Sequence, residues 1–116
     1  MELKDKIIVV TGAASGIGRG LAVRFAVEGA SRIVCADLNL EGAEETASLC
    51  GGVAMKCDVS QESDILALIE RTESEIGPID LFCSNAGILT VGGAEASDAD
   101  WQRIWEINVM SHVWAA

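Results

Sequence analysis

Thr11-Gly12-Ala13-Ala14-Ser15-Gly16-Ile17-Gly18 restricts this chain more than any other stretch, because it comes directly after the apolar run Ile7-Ile8-Val9-Val10. Such a run reads as a buried strand, and glycines at its end let the backbone turn sharply and approach a ligand with no side chain between. The helical pattern that begins near Ile17 points its N-terminus at the same place. Free N–H groups and the positive end of the helix dipole make this turn a site for a pyrophosphate. Its candidate residues are Gly12, Ser15, Gly16, Ile17 and Gly18.

A glycine turn gains meaning from an acidic residue placed at the distance a βαβ unit requires. The run Ser31 to Ala36 reads as the next strand and ends in Asp37, about 20 residues beyond the last glycine, where nucleotide-binding units carry such a residue. A carboxylate there accepts both ribose hydroxyls of an adenosine and repels a 2′-phosphate, which favours NAD over NADP as cofactor. The plainer reading is that Asp37 only starts a turn with Asn39.

The 116 residues fit one small domain with a limited core, and half of them are apolar. A mean hydropathy of +0.33 suits a parallel sheet covered on both faces, whose strands are continuous apolar runs. No apolar run spans a bilayer. The mixed charges of Met1 to Lys6 lead straight into a strand, unlike a signal peptide, so a cytoplasmic location is expected. The formal net charge of −10 opposes binding to nucleic acid or an anionic membrane through a general field. An anionic cofactor must then be held locally, by backbone amides and a helix end.

Cys35, Cys50, Cys57 and Cys83 show no C-x-x-C spacing, and three of them lie within apparent strands. They read as small core hydrophobes, with a disulfide or a metal site as the lesser alternatives. No metal is expected.

Taken in order, the chain alternates strand and helix. The residues from Gly16 to about Glu28 give a broad apolar helical stripe of Ile17, Leu21, Val23, Phe25, Ala26 and Val27, closed by Gly29. Leu40 to Cys50 is a small acidic helix ending at Gly51-Gly52, and 53–57 is a short strand. Ser60 is expected as N-cap of a helix over about 61–76, which carries Ile65, Leu68, Ile69 and Ile76 on one side and stops at Gly77-Pro78. A fourth strand, 79–84, runs into Asn85-Ala86-Gly87, again small residues at a strand end. Beyond a loop, Ser97 and Asp100 resemble a capping box before a helix from Trp101 that reaches Ala116 without a stop signal. The chain is therefore expected to be cut within that helix.

Alternation of this kind implies parallel pairing through right-handed crossovers and helices on both faces of the sheet. The strand ends at Gly12, Asp37 and Asn85 then share the carboxyl edge, where open α/β sheets bind ligands.

These residues together resemble the N-terminal half of the short-chain dehydrogenases/reductases, over essentially the whole chain. The signs are Thr11-Gly12-x-x-x-Gly16-Ile17-Gly18, Asp37, Asp58-Val59 after the third strand, Asn85-Ala86-Gly87 after the fourth, and Asn108 in the next helix. The resemblance implies a doubly wound, Rossmann-type parallel sheet, here incomplete, with about four strands. It also implies an NAD-dependent oxidoreductase that interconverts a secondary alcohol and a carbonyl. The Gly12–Gly18 turn would hold the pyrophosphate and Asp37 the adenosine ribose. Asp58 would face the adenine amino group and Val59 its ring, while Asn85, Ala86 and Gly87 would lie near the nicotinamide ribose. Asn108 would be the catalytic Asn that helps hold a water in the proton relay. The helix containing Trp101, Ile104, Trp105, Val109 and Val113 would contribute to a subunit interface, so a homo-oligomer is expected.

Two departures stand out. Ser84 replaces the more usual first Asn of Asn-Asn-Ala-Gly, and the chain holds no tyrosine, whereas the family uses an upstream Ser and Tyr-x-x-x-Lys for proton transfer. Two other readings stay open: a non-catalytic NAD-binding or interaction module, and an unstable truncation product. His112 has no identified partner and reads as structural. The alcohol itself stays open among hydroxyacyl thioesters, sugars, steroids and small alcohols.

Overall fold

In the computed structural model, residues 3–85 are described. Four short strands form one sheet: β1 (Ile7–Thr11), β2 (Arg32–Asp37), β3 (Val53–Lys56) and β4 (Leu81–Cys83), in the order β3-β2-β1-β4. All pairings are parallel, with Val9 opposite Val34 on one side and Phe82 on the other. Between them lie α1 (Gly16–Val27), α2 (Leu40–Cys50) and α3 (Glu62–Glu75).

Alternate residues of the central strands feed two cores, as the period of two in a strand requires. Ile8, Val10, Ile33 and Cys35 pack with Ala22 and Phe25 of α1 and Ala43 and Ala47 of α2. Val9, Val34 and Ala36 face the other way, onto Met55, Ile65 and Leu68. Thus α1 and α2 cover one face and α3 the other, giving the doubly wound α/β arrangement expected from the alternation. Val9, Val10 and Val34 are wholly buried, and burial of each such side chain contributes about 1.5–3 kcal/mol.

Several local expectations change. The apolar stripe of α1 is narrower than its composition suggests, because the buried residues are Gly18, Ala22 and Phe25, spaced i, i+4, i+7. Ile17 and Val27 are exposed instead, at 75% and 72%. Ser60 is not the N-cap of α3. Its N–H and hydroxyl both donate to Asp58 Oδ1, at 3.0 and 2.6 Å, and Gln61 takes the cap position. A charged acceptor two residues upstream outcompetes the helix end. Strand β4 is shorter than 79–84: Asp80 pairs with Ile7 partly through its side chain, whose Oδ2 accepts from Ile7 N–H at 2.8 Å where a strand would offer a backbone carbonyl. The Gly29 expectation holds in refined form: Glu28 is the C-cap and Gly29, at φ 89°, comes next.

The thiols are free; Cys35 and Cys57 are buried and Cys50 and Cys83 half-buried. Cys57 lies one residue past β3. Burial, followed by the neighbouring Cys50, raises the Cys35 thiol from 9.0 to about 12; burial, followed by Asp64, Asp58 and Asp37, does the same for Cys57. The native state therefore keeps these protons where the unfolded chain has lost them. Their stabilisation is complete below about pH 9 and is lost as pH rises from there toward 12, by up to about 1.4 kcal/mol per pH unit for each thiol. Urea midpoints of the unmutated protein and of Cys57→Ala, compared at about pH 8 and about pH 10, should show a shallower fall in the variant.

Candidate nucleotide site at the carboxyl edge

The carboxyl ends of β1, β2 and β4 meet at the glycine turn. Ala13 N–H donates to Ala36 O at 3.2 Å, which ties the turn to β2. Thr11, almost fully buried, ties β1 to β4: its hydroxyl donates to Cys83 O at 3.3 Å and accepts from Asn85 N–H at 3.0 Å. Replacing Thr11 by Val keeps the shape and removes both bonds, so a loss of about 1–3 kcal/mol in unfolding free energy is expected in urea titrations.

Gly12 and Gly16 adopt φ of 68° and 58°, in the left-handed region that favours glycine. Gly18 is required for a different reason. A Cβ there would stand 2.0 Å from Gly12 O and 2.9 Å from Asn85 Nδ2, so the turn, α1 and the end of β4 come together only over a bare Cα. Ser15 caps α1 with extended backbone but its side chain makes no capping hydrogen bond, and the first turn of α1 carries no carboxylate. By contrast α2 begins with an Asn39 side-chain cap and Glu41, and α3 begins with Glu62 and Asp64. The N–H groups that open α1, together with its dipole, therefore meet no built-in anion from its own first turn.

Asp37, at the end of β2, is half-buried and held at two points. Oδ2 accepts from Ala14 N–H at 3.0 Å and Oδ1 from Asn39 N–H at 2.9 Å. An ionised carboxylate offers about four acceptor positions, so both oxygens can accept further hydroxyl donors. The Asn39 contact contains the turn of the plainer reading, and the Ala14 contact adds a link to the glycine turn that this reading does not require. Asp58 comes after β3, its N–H donating to Asp64 Oδ2 at 2.9 Å and its Oδ1 engaged by Ser60. Its other oxygen has no partner among the described residues. Val59 is buried in the core beneath α3. Ala86, Gly87 and Asn108 lie outside the described residues, as do Ser97, His112 and the helix expected from Trp101.

The site also contains groups that sequence reasoning passed over. Arg19, which reads as a polar helix-surface residue, reaches across to α2. Its Nε donates to Thr46 Oγ1 at 2.9 Å and its Nη2 to Ala14 O at 2.6 Å, Gly42 O at 3.2 Å and Glu45 at 3.2 Å. Gly42 sits against the turn so closely that a Cβ would lie 2.7 Å from that of Ala14. Glycine in the first turn of α2 was the available signal. Among the described residues no group of three His, Cys, Asp or Glu could hold a metal ion, and no helix is long and apolar enough to cross a membrane.

An open parallel sheet in this order, with a glycine turn entering a helix and an acidic residue ending the second strand, defines the nucleotide-binding half of a doubly wound α/β protein. The sequence pattern of the family described as short chain dehydrogenase matches residues 6–116. The chain belongs to that oxidoreductase family.

Relatives include human estradiol 17-beta-dehydrogenase 11, 35% identical over 97% of this chain and 39% of its own length. D-threitol dehydrogenase of Mycolicibacterium smegmatis is 39% identical over 93% of this chain and 44% of its own. The 7alpha-hydroxysteroid dehydrogenase of Escherichia coli K12 is 36% identical over 96% and 45%. A solved glucose/ribitol-type short-chain dehydrogenase/reductase from Brucella melitensis superposes with a TM-score of 0.90 at 32% identity, over 99% of this chain and 50% of that one. Another Brucella melitensis structure, described as a ribose-5-phosphate isomerase, gives 0.88 at 30% identity over 98% and 45%. Shape alone thus does not select a reaction. The chain spans less than half the length of these curated relatives.

Proposed function

We propose that this chain is the NAD-binding half of a short-chain oxidoreductase that interconverts a secondary alcohol and a carbonyl. The observation that carries the cofactor choice is Asp37: a carboxylate fixed beside the glycine turn by Ala14 N–H accepts a ribose diol and repels a 2′-phosphate. The bare Cα of Gly18 and the carboxylate-free start of α1 suit a pyrophosphate. NAD, when bound, supplies the hydride acceptor.

In this reading the turn from Gly12 through Ser15, Gly16, Ile17 and Gly18 holds the pyrophosphate. Asp37 accepts the ribose hydroxyls, and Asp58 accepts the adenine amino group through its second oxygen, with Val59 beside the ring. Asn85, Ala86 and Gly87 border the nicotinamide ribose. Asn108 serves the proton relay. The Ser and Tyr-x-x-x-Lys that the family resemblance implies cannot be assigned, since the 116 residues hold no tyrosine. Steroid and polyol alcohols head the substrate candidates, because the relatives are named for them. A cytoplasmic homo-oligomer without nucleic-acid or membrane partners completes the proposal.

The test is NAD-dependent oxidation of hydroxysteroids and sugar alcohols by the intact protein, followed by the appearance of reduced nicotinamide. Turnover supports the oxidoreductase. Binding of NAD with no turnover on any alcohol favours the non-catalytic module, and binding of neither NAD nor NADP overturns both.

A further inference from the structure

A directed chain of hydrogen bonds runs from α1 to the carboxylate at the end of β2. Arg19 Nε–H donates to Thr46 Oγ1 at 2.9 Å. The Thr46 hydroxyl donates to Ala13 O at 2.6 Å, and the N–H of that same peptide unit, on Ala14, donates to Asp37 Oδ2 at 3.0 Å. Every dipole points the same way, from a guanidinium to a carboxylate, so each bond polarises the next. Thr46 has one hydroxyl hydrogen, and its other acceptor, Gly42 O, is farther off at 3.2 Å. The hydroxyl is fully buried and solvent does not compete for it. Arg19 Nη2 holds the next carbonyl, Ala14 O, at 2.6 Å, so the Ala13–Ala14 segment is gripped at both carbonyls.

Nothing in α2's own stability calls for this arrangement. A threonine hydroxyl inside a helix ordinarily bonds back to the carbonyl four residues earlier, as Thr72 does with Leu68 O at 2.7 Å. Thr46 instead makes its shorter bond outside its helix. The close fit of Gly42 on Ala14 brings it within reach.

We infer that Thr46 and Arg19 are positioning residues for cofactor discrimination: through the Ala13–Ala14 peptide they orient the Asp37 carboxylate that distinguishes a free ribose diol from a 2′-phosphate. The consequence for cofactor choice rests on the NAD reading of the site. The orientation of Asp37 does not.

The experiment has a cofactor-free arm and a binding arm. Amide hydrogen exchange is measured in the intact protein without nucleotide, for the unmutated chain, Thr46→Val and Thr46→Ser, with Val9 and Val34 of the sheet reporting global stability. Thr46→Val should speed exchange at Ala14 about tenfold beyond any change at Val9 and Val34, the effect of a weakened charge-assisted bond. Thr46→Ser should restore protection. Titration of NAD and NADP should then show the ratio of their affinities falling about tenfold in Thr46→Val and recovering in Thr46→Ser.

Exchange at Ala14 that moves only in step with Val9 and Val34 overturns the proposal, whichever cofactor binds. So does an unchanged affinity ratio in a protein that prefers NAD. Selective exchange at Ala14 in a protein whose unmutated form prefers NADP supports the positioning of Asp37 and overturns the NAD reading alone.

Discussion

Alanine at Gly18 is expected to destabilise the protein by about 3 kcal/mol and to weaken NAD binding at least about a hundredfold, the cost of forcing a methyl group into packed backbone. The added Cβ would stand 2.0 Å from Gly12 O, which belongs to backbone and cannot swing away as a side chain could. Either the glycine turn or the start of α1 must shift, and both belong to the proposed pyrophosphate site. Gly20, two residues on in the same helix, supplies the control. A Cβ there meets nothing within 4 Å, so Gly20→Ala should raise stability by about 0.5–1 kcal/mol through helix propensity and leave NAD binding intact. Thermal melts of both variants with and without NAD separate packing from binding, since a ligand raises the melting temperature only of a protein that still binds it.

The second large effect is on cofactor choice. Asp37→Ala removes the carboxylate that two backbone N–H groups hold at the end of β2. NAD affinity should fall about ten- to a hundredfold, the range for losing hydrogen bonds to a charged acceptor, while NADP affinity should hold or rise as the repulsion is lifted. Isothermal titration with both nucleotides reads this directly. Equal loss of both would mean that Asp37 acts only through the shape of the turn.

Elements and their types were legible because several local signals agreed. Glycines stood at the end of a β-branched run in the first strand, Gly29 and Gly51 closed two helices, and continuous apolar strands indicated a sheet covered on both faces. The carboxyl-edge meeting of Gly12, Asp37 and Asn85 was then a consequence of parallel topology alone. What stayed hidden depended on side chains reaching between elements. Ser60 looks like a cap until Asp58 is seen to claim its hydroxyl, and Thr46 looks like a neutral residue in an acidic helix. Ile17 and Phe25 read alike in an apolar stripe, yet α1 lies so close to the turn and sheet that Gly18 and Ala22 form much of its contact face and Ile17 is left exposed. Arg19 is the clearest case: helix periodicity places it on a polar face, and only the approach of Gly42 to Ala14 brings that face against α2.

The most direct test is the dissociation constants of NAD and NADP for the intact, unmutated protein under one buffer and salt condition. Saturable binding is expected, with NAD held at least about tenfold more tightly than NADP. Tighter binding of NADP would contradict the role given to Asp37, and binding of neither would contradict the site itself.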